Sequence, residues 1–224
     1  LLYLLFFVDQ LTIHLVQILL TNTSFLYFVL FLRNLSIYFD NYMSMRAANY
    51  SSMNIFNLEQ IKEINSIIKS NYIQAKDVYD KESVKTSDVK FVNYGKIQKY
   101  ISPFVEFCLE ANNNFFGFDL HPLTTLKKLN YNIYEEGTEY NWHIDAVPRD
   151  PVRDIKLTAL LNLSEETYEG GDLVLFRANE IICSEFNTPG SAIIFPSYIN
   201  HKVNKVTSGK RHTLAIWMSG PKFR

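Results

Sequence analysis

From Phe115 to the C terminus, short runs rich in β-branched and aromatic residues alternate with turn residues, and no helix-length apolar repeat comes between them. The runs are Phe116–Leu120, Lys128–Tyr134, Glu139–Ala146, Ile155–Leu163, Asp172–Arg177, Ser191–Phe195 and Thr213–Met218. Glu136-Gly137, Gly170-Gly171, Pro189-Gly190 and Ser208-Gly209 punctuate the region. Such pairs favour turns because glycine takes positive φ at no steric cost. A parallel pair would need a crossover of a dozen or more residues, usually a helix. Many short strands without βαβ alternation suggest a sandwich or jelly roll. Ile155 to Leu163 starts as an alternation and becomes apolar on both faces, which predicts a central strand.

Helical periodicity is confined to the preceding stretch. Asn57 followed by Gln60 has the form of a capping box, and Leu58, Ile61, Ile64 and Ile68 recur at helical spacing. They predict a helix over 58–70. Residues 75–89 are polar and read as a loop. A second helix is expected from Lys96 to about Asn112, burying Ile97, Ile101, Phe104, Val105, Cys108 and Leu109 and ending at Asn112-Asn113-Asn114. The expected class is mainly β with flanking helices packed on one sheet.

Residues 1–40 differ from the rest. They are apolar, with Asp9 and Arg33 the only charges before Asp40. The length suits a membrane span, but Asp9, Gln10, His14 and Thr21–Ser24 interrupt it. A signal peptide would need a basic start and a small-residue cleavage site. Two accounts stay open: a reading frame extended upstream of a start at Met43 or Met45, and a genuine anchor or packed helix. The expected organisation is an apolar segment over 1–45 and a domain over 54–224. The net charge of -1 offers no basic footprint for nucleic acid. Cys108 and Cys183 lack zinc-site spacing and fit reduced thiols in the cytoplasm; membrane association follows only if the first forty residues are an anchor.

His143 and Asp145 are one residue apart, so on a strand both point to the same face. His201 can add a third ligand from a later strand. Two histidines and a carboxylate form a facial set that leaves positions open and suits Fe(II), although catalytic zinc uses the same donors. Taken alone, the pair reads equally well as a hydrogen-bonded surface His–Asp.

Its surroundings change that. Tyr134-Glu-Glu-Gly137-Thr-Glu-Tyr140-Asn-Trp-His143-Ile-Asp145 resembles the YxxGxxYxxHxD signature of 2-oxoglutarate/Fe(II) oxygenases of the prolyl 4-hydroxylase-like superfamily. Lys156-Leu157-Thr158 and Glu169-Gly170-Gly171-Asp172-Leu173 resemble its central strand and EGG turn. Gly190 to Arg211 resembles its second-histidine block, and the match runs in order from about Asn57 to Phe223. The resemblance implies a double-stranded β-helix, a jelly roll. It implies Fe(II) on His143, Asp145 and His201, with 2-oxoglutarate and O2 as co-substrates and ascorbate as an accessory.

Arg211, ten residues after His201, would hold the distal carboxylate of 2-oxoglutarate through its planar fork. Thr213 would add a hydroxyl. Tyr134 would be another donor and Tyr140 would line the pocket; which tyrosine reaches the co-substrate stays open. The bland alternatives are strand packing for Thr213 and ordinary half-buried aromatics for the tyrosines. Trp217 reads as core, His212 as facing away from Arg211, His121 as a loop residue, and Gly170-Gly171 as turn geometry.

The implied activity is hydroxylation of a C–H bond coupled to decarboxylation of 2-oxoglutarate. A protein or peptide residue, prolyl above all, is the substrate class most suggested. A free amino acid or small metabolite is the first alternative, and a non-catalytic jelly-roll binding module the second. The loop from Ala146 to Asp154 should edge the mouth, with Arg149 and Arg153 either solvated or pairing an acidic substrate group.

Overall fold

The capping box at Asn57 forms in both directions. The Asn57 side chain accepts from the Gln60 amide and the Gln60 side chain accepts from the Asn57 amide, each at 3.0 Å. It starts helix α1 (Leu58–Asn71), whose Ile61, Ile64 and Ile68 are buried. The computed structural model describes residues 49–74, 86–123, 128–146 and 150–223. The apolar segment expected over 1–45 lies outside them, as do His14 and Arg149.

A seven-stranded sheet runs in the order β1 (Ser51–Asn54), β10 (Ser191–Pro196), β6 (Arg153–Asn162), β13 (Arg211–Pro221), β4 (Lys128–Tyr134), β3 (Asp88–Asn93), β2 (Tyr72–Gln74). A four-stranded sheet faces it in the order β5 (Tyr140–His143), β11 (Asn200–Val203), β8 (Leu173–Arg177), β9 (Asn179–Ile182). A separate two-stranded ribbon pairs β7 (Glu169–Gly170) with β12 (Val206–Ser208). The pairings are antiparallel, as the turn-rich sequence requires. This is the expected jelly roll.

The central strand β6 shows why one face is dry and the other functional. Leu157, Ala159 and Leu161 join Leu214, Ile216 and Met218 of β13 against Ile61, Ile64, Ile68, Phe104 and Cys108 of the helices. Thr158, Leu160 and Asn162 alternate to the opposite face, towards the four-stranded sheet. There a second core of Tyr134, Leu173, Leu175, Phe186, Phe195 and Val203 fills the space between the sheets.

The second helix is not continuous. It divides into α2 (Tyr94–Ile97) and α3 (Ser102–Ala111), with Pro103 in the first turn of the latter. Proline lacks an amide proton and disfavours helical backbone at the preceding residue, so it starts a helix but does not sit inside one. The asparagine run does not end α3 either. Asn112–Phe116 continues as a wider π turn closed by Gly117 at φ 67°, and the Asn112 side chain clamps both the amide and the carbonyl of Phe118. Phe116–Leu120 is therefore not a strand. Strand β3 begins inside the stretch read as loop, the later strand expected to carry His201 is β11, and the sequence reading did not include β1, β2, β7, β9 and β12. No described helix is long and apolar enough to cross a membrane.

Candidate active site

His143 closes β5 and His201 stands directly opposite it on β11. Cross-strand pairing brings their ring centroids to 4.0 Å. Each ring is oriented by its own backbone: His143 Nδ1 lies 2.8 Å from the Asn141 carbonyl and His201 Nδ1 2.9 Å from that of Ile199. A carbonyl can only accept, so Nδ1 carries the proton and Nε2 keeps its lone pair in each neutral ring. Asp145 lies just beyond the end of β5. Its amide and that of Ala146 donate to the Ser197 carbonyl at 3.0 and 3.1 Å. Loop hydrogen bonds, rather than the strand pleat, thus bring it beside His143.

The Asp145 carboxylate is 3.7 Å from His143 Nε2 and 3.5 Å from His201 Nε2. One ligand atom from each of the three residues lies within 4.8 Å of the others. Burial pushes His201 below its ordinary pKa, against the opposing pulls of Asp145 and the Ile199 carbonyl, which favours the neutral imidazole a metal needs. Two imidazole nitrogens and one carboxylate converging on one point fit a divalent ion.

A cavity opens from this point, lined by Asn132, Tyr134, Tyr140, Arg211, Thr213 and Trp217 among others. Arg211 is 1% exposed. Its guanidinium lies 5.1 Å from the Tyr134 ring centroid and 5.4 Å from that of Phe186. Among the described residues its Nε and Nη2 have no hydrogen-bond partner. These two nitrogens occupy one edge of the guanidinium and form the fork that grips both oxygens of a carboxylate. Leaving them unpaired in a buried place costs about 1–3 kcal/mol each, so the arrangement fits an anionic ligand.

Gly171 makes room for Arg211. It has φ +65°, and a Cβ there would fall 3.0 Å from Arg211 Cδ and 3.0 Å from Val206 Cγ2. The EGG turn therefore shapes the space around Arg211 as well as reversing the chain. Thr213 faces the cavity opposite Asn132, whose amide donates to its hydroxyl at 3.4 Å. Tyr140 stacks on His143 at 3.6 Å and 17°, so it braces that ring as well as lining the pocket. Tyr134 lies beneath the guanidinium.

Trp217 is not core. It is partly exposed and lines the cavity, with its indole Nε1 unpaired among the described residues. Alternation along β13 could have placed it there, since it shares a face with Arg211, Thr213 and Ala215. His212 does face away, 3.1 Å from the Tyr131 hydroxyl. His121 sits outside the strands. Arg153 pairs with Asp150 at 2.7 Å, which ties it down within the loop. Thr158 was legible only as part of a strand, yet its hydroxyl donates to Asp145 Oδ2 at 2.7 Å.

Comparison with known proteins agrees with this geometry. Residues 129–219 match the 2OG-Fe(II) oxygenase superfamily. A PKHD-type hydroxylase of Alteromonas mediterranea is 36% identical over 98 residues, covering 39% of this chain and 41% of that protein. One of Caulobacter vibrioides is 34% identical over 128 residues, covering 54% of each. The chain thus spans about two fifths to half of the length of these relatives. A Pseudomonas putida prolyl-4-hydroxylase structure superposes with a TM-score of 0.58 at 18% identity, over 78% of this chain and 94% of that one. A viral collagen prolyl hydroxylase from Paramecium Bursaria Chlorella virus-1 gives 0.57 at 16% identity, over 77% and 97%. The matched segment carries the convergent triad and the buried arginine, and over residues 129–219 the chain is similar to the 2OG-Fe(II) oxygenase superfamily.

Proposed function

We propose that this protein is an Fe(II)- and 2-oxoglutarate-dependent hydroxylase acting on a protein or peptide residue, prolyl hydroxylase-like in chemistry. The observation that carries the proposal is the buried, unpaired fork of Arg211 in the cavity onto which His143, Asp145 and His201 converge. A metal site alone would need no second cationic group; a metal plus a dicarboxylate co-substrate does.

In this proposal the three ligands hold Fe(II), which when bound supplies the O2 chemistry that side chains lack. Arg211 takes the distal carboxylate of 2-oxoglutarate, with Thr213 beside it and the Tyr134 ring beneath. Tyr140 keeps the His143 ring in its plane by stacking. Leu160, Leu173 and Val203 line the same cavity and limit water there. Apart from the two histidines and the two tyrosine phenols, Asp145 and Arg211 are the only ionisable acid and base among its described lining residues, and both have roles. The substrate group that enters is then uncharged, which favours a prolyl-like residue over an acidic or basic amino acid. The Trp217 N–H offers a donor to a substrate carbonyl, as a peptide would supply.

The oxygenase domain of this proposal is residues 54–224, extended by strand β1. A cytoplasmic location belongs to the same proposal and rests on Cys108 and Cys183, which are free and buried.

The test is succinate formation from 2-oxoglutarate by Fe(II)-loaded protein with ascorbate, given proline-containing peptides or free proline. Peptide-stimulated succinate is expected. Stimulation by free proline alone would move the substrate to the small-metabolite class. No succinate and no iron retention would leave a binding module.

A further inference from the structure

Asp145 Oδ2 is held by a hydroxyl that itself has a second hydroxyl neighbour. Thr158, 1% exposed on β6, places its Oγ1 2.7 Å from Asp145 Oδ2 and 3.1 Å from Ser197 Oγ. Ser197 is fully buried in the turn between β10 and β11, four residues before His201. A threonine hydroxyl has one proton, and an ionised carboxylate can only accept. The Thr158 proton therefore goes to Asp145, and the Ser197 hydroxyl must donate to Thr158 Oγ1. The result is a directed chain from Ser197 to Thr158 to Asp145, in which each bond polarises the next.

Main-chain bonds also tie Ser197 to the Asp145 loop and to β6. The Ser197 carbonyl accepts from the Asp145 and Ala146 amides, and the Ser197 amide donates to the Lys156 carbonyl at 3.0 Å. Ser197 thereby ties the loop carrying Asp145 to the turn leading to His201. These contacts fix the position of the carboxylate; the hydroxyl chain fixes its rotation and occupies one lone pair of Oδ2.

We propose that Thr158 and Ser197 form a hydroxyl relay that positions Asp145 as a metal ligand and sets how tightly the site retains its ion. The inference rests on the metal-site reading above. Thr158 and Ser197 are positioning residues, acting on the metal only through Asp145.

The test uses Mn(II) alone, titrated into the full chain and followed by the magnetic-resonance signal of the free ion, with metal-free thermal unfolding measured alongside. Thr158→Val keeps the shape and removes the donor, and should weaken Mn(II) binding about 10- to 100-fold, the usual effect of losing an outer-shell partner. Thr158→Ser restores the hydroxyl and should bind near the wild-type level. Ser197→Ala removes the upstream donor and should give a smaller loss. A purely structural role would lower the unfolding temperature of Thr158→Val without this pattern in Mn(II) affinity. Wild-type Mn(II) binding by Thr158→Val overturns the relay, as does equal weakening by the valine and serine variants. If Thr158→Val fails to fold, wild-type binding by Ser197→Ala overturns it instead. Wild-type protein that cannot hold Mn(II) sinks the metal site and the relay together, whereas wild-type protein that holds it no better than Thr158→Val sinks the relay alone.

Discussion

Replacing Arg211 with methionine separates a ligand-binding arginine from a structural one. In the metal- and co-substrate-free protein, Arg211 is buried with two nitrogens unpaired. Methionine removes both orphans, a relief of about 1–3 kcal/mol for each. Against that, the cation–π contacts with Tyr134 and Phe186 are lost, at about 0.5–2 kcal/mol each. The two effects are of similar size, so unfolding of the ligand-free variant should occur at or above the wild-type temperature. This is unusual for a fully buried residue, whose replacement normally destabilises. Binding of 2-oxoglutarate should respond in the opposite sense. A bidentate pair of charge-assisted hydrogen bonds is worth about 1.5–3 kcal/mol per bond, so its loss weakens binding about 10²- to 10⁴-fold. Thermal unfolding with Mn(II), with and without excess 2-oxoglutarate, reads both quantities. Ligand should raise the wild-type midpoint by mass action and leave that of Arg211→Met unmoved. A ligand-free Arg211→Met protein that unfolds far below wild type would show that Arg211 braces the fold. An equal ligand-induced rise in both proteins would remove Arg211 from the co-substrate site.

Other perturbations follow from the same contacts. His143→Ala or Asp145→Ala should abolish retention of Fe(II) or Mn(II), checked by metal analysis after gel filtration. Gly171→Ala should cost about 1–2 kcal/mol for a side chain in the left-handed region and push on Arg211 Cδ, raising the 2-oxoglutarate requirement while metal content stays at the wild-type level. Asn57→Ala should lower stability by about 1 kcal/mol through loss of the capping box, measured by urea unfolding. His201 and His212 both have pKa values lowered by burial. Below pH about 6.5 the unfolded chain takes up protons that the folded one resists, so metal-free stability should fall as pH drops through that value and level off above it. His212→Gln should flatten part of this slope.

Local chemistry already determined much of this protein in one dimension. The capping box starts α1 because its partners are three residues apart. Glycine turns and alternating apolar residues imply antiparallel sheets with no crossover helices. The Tyr134–Asp145 block, His201 and Arg211 keep a spacing that points to one metal and one carboxylate. Other features depended on contacts between residues far apart in the chain. Pro103 divides the second helix where periodicity alone ran through. Edge strands such as β2 and β9 carry too few buried residues to declare themselves. Asp145 comes beside His143 and His201 through the Ser197 carbonyl rather than the strand pleat, and Thr158 becomes its hydrogen-bond donor because β6 passes beside that loop. Trp217 turns from expected core to cavity wall because β13 presents its odd-numbered residues to the space between the sheets. In each case hydrogen bonding and burial depend on what lies across a sheet or loop, and only the folded chain brings those neighbours together.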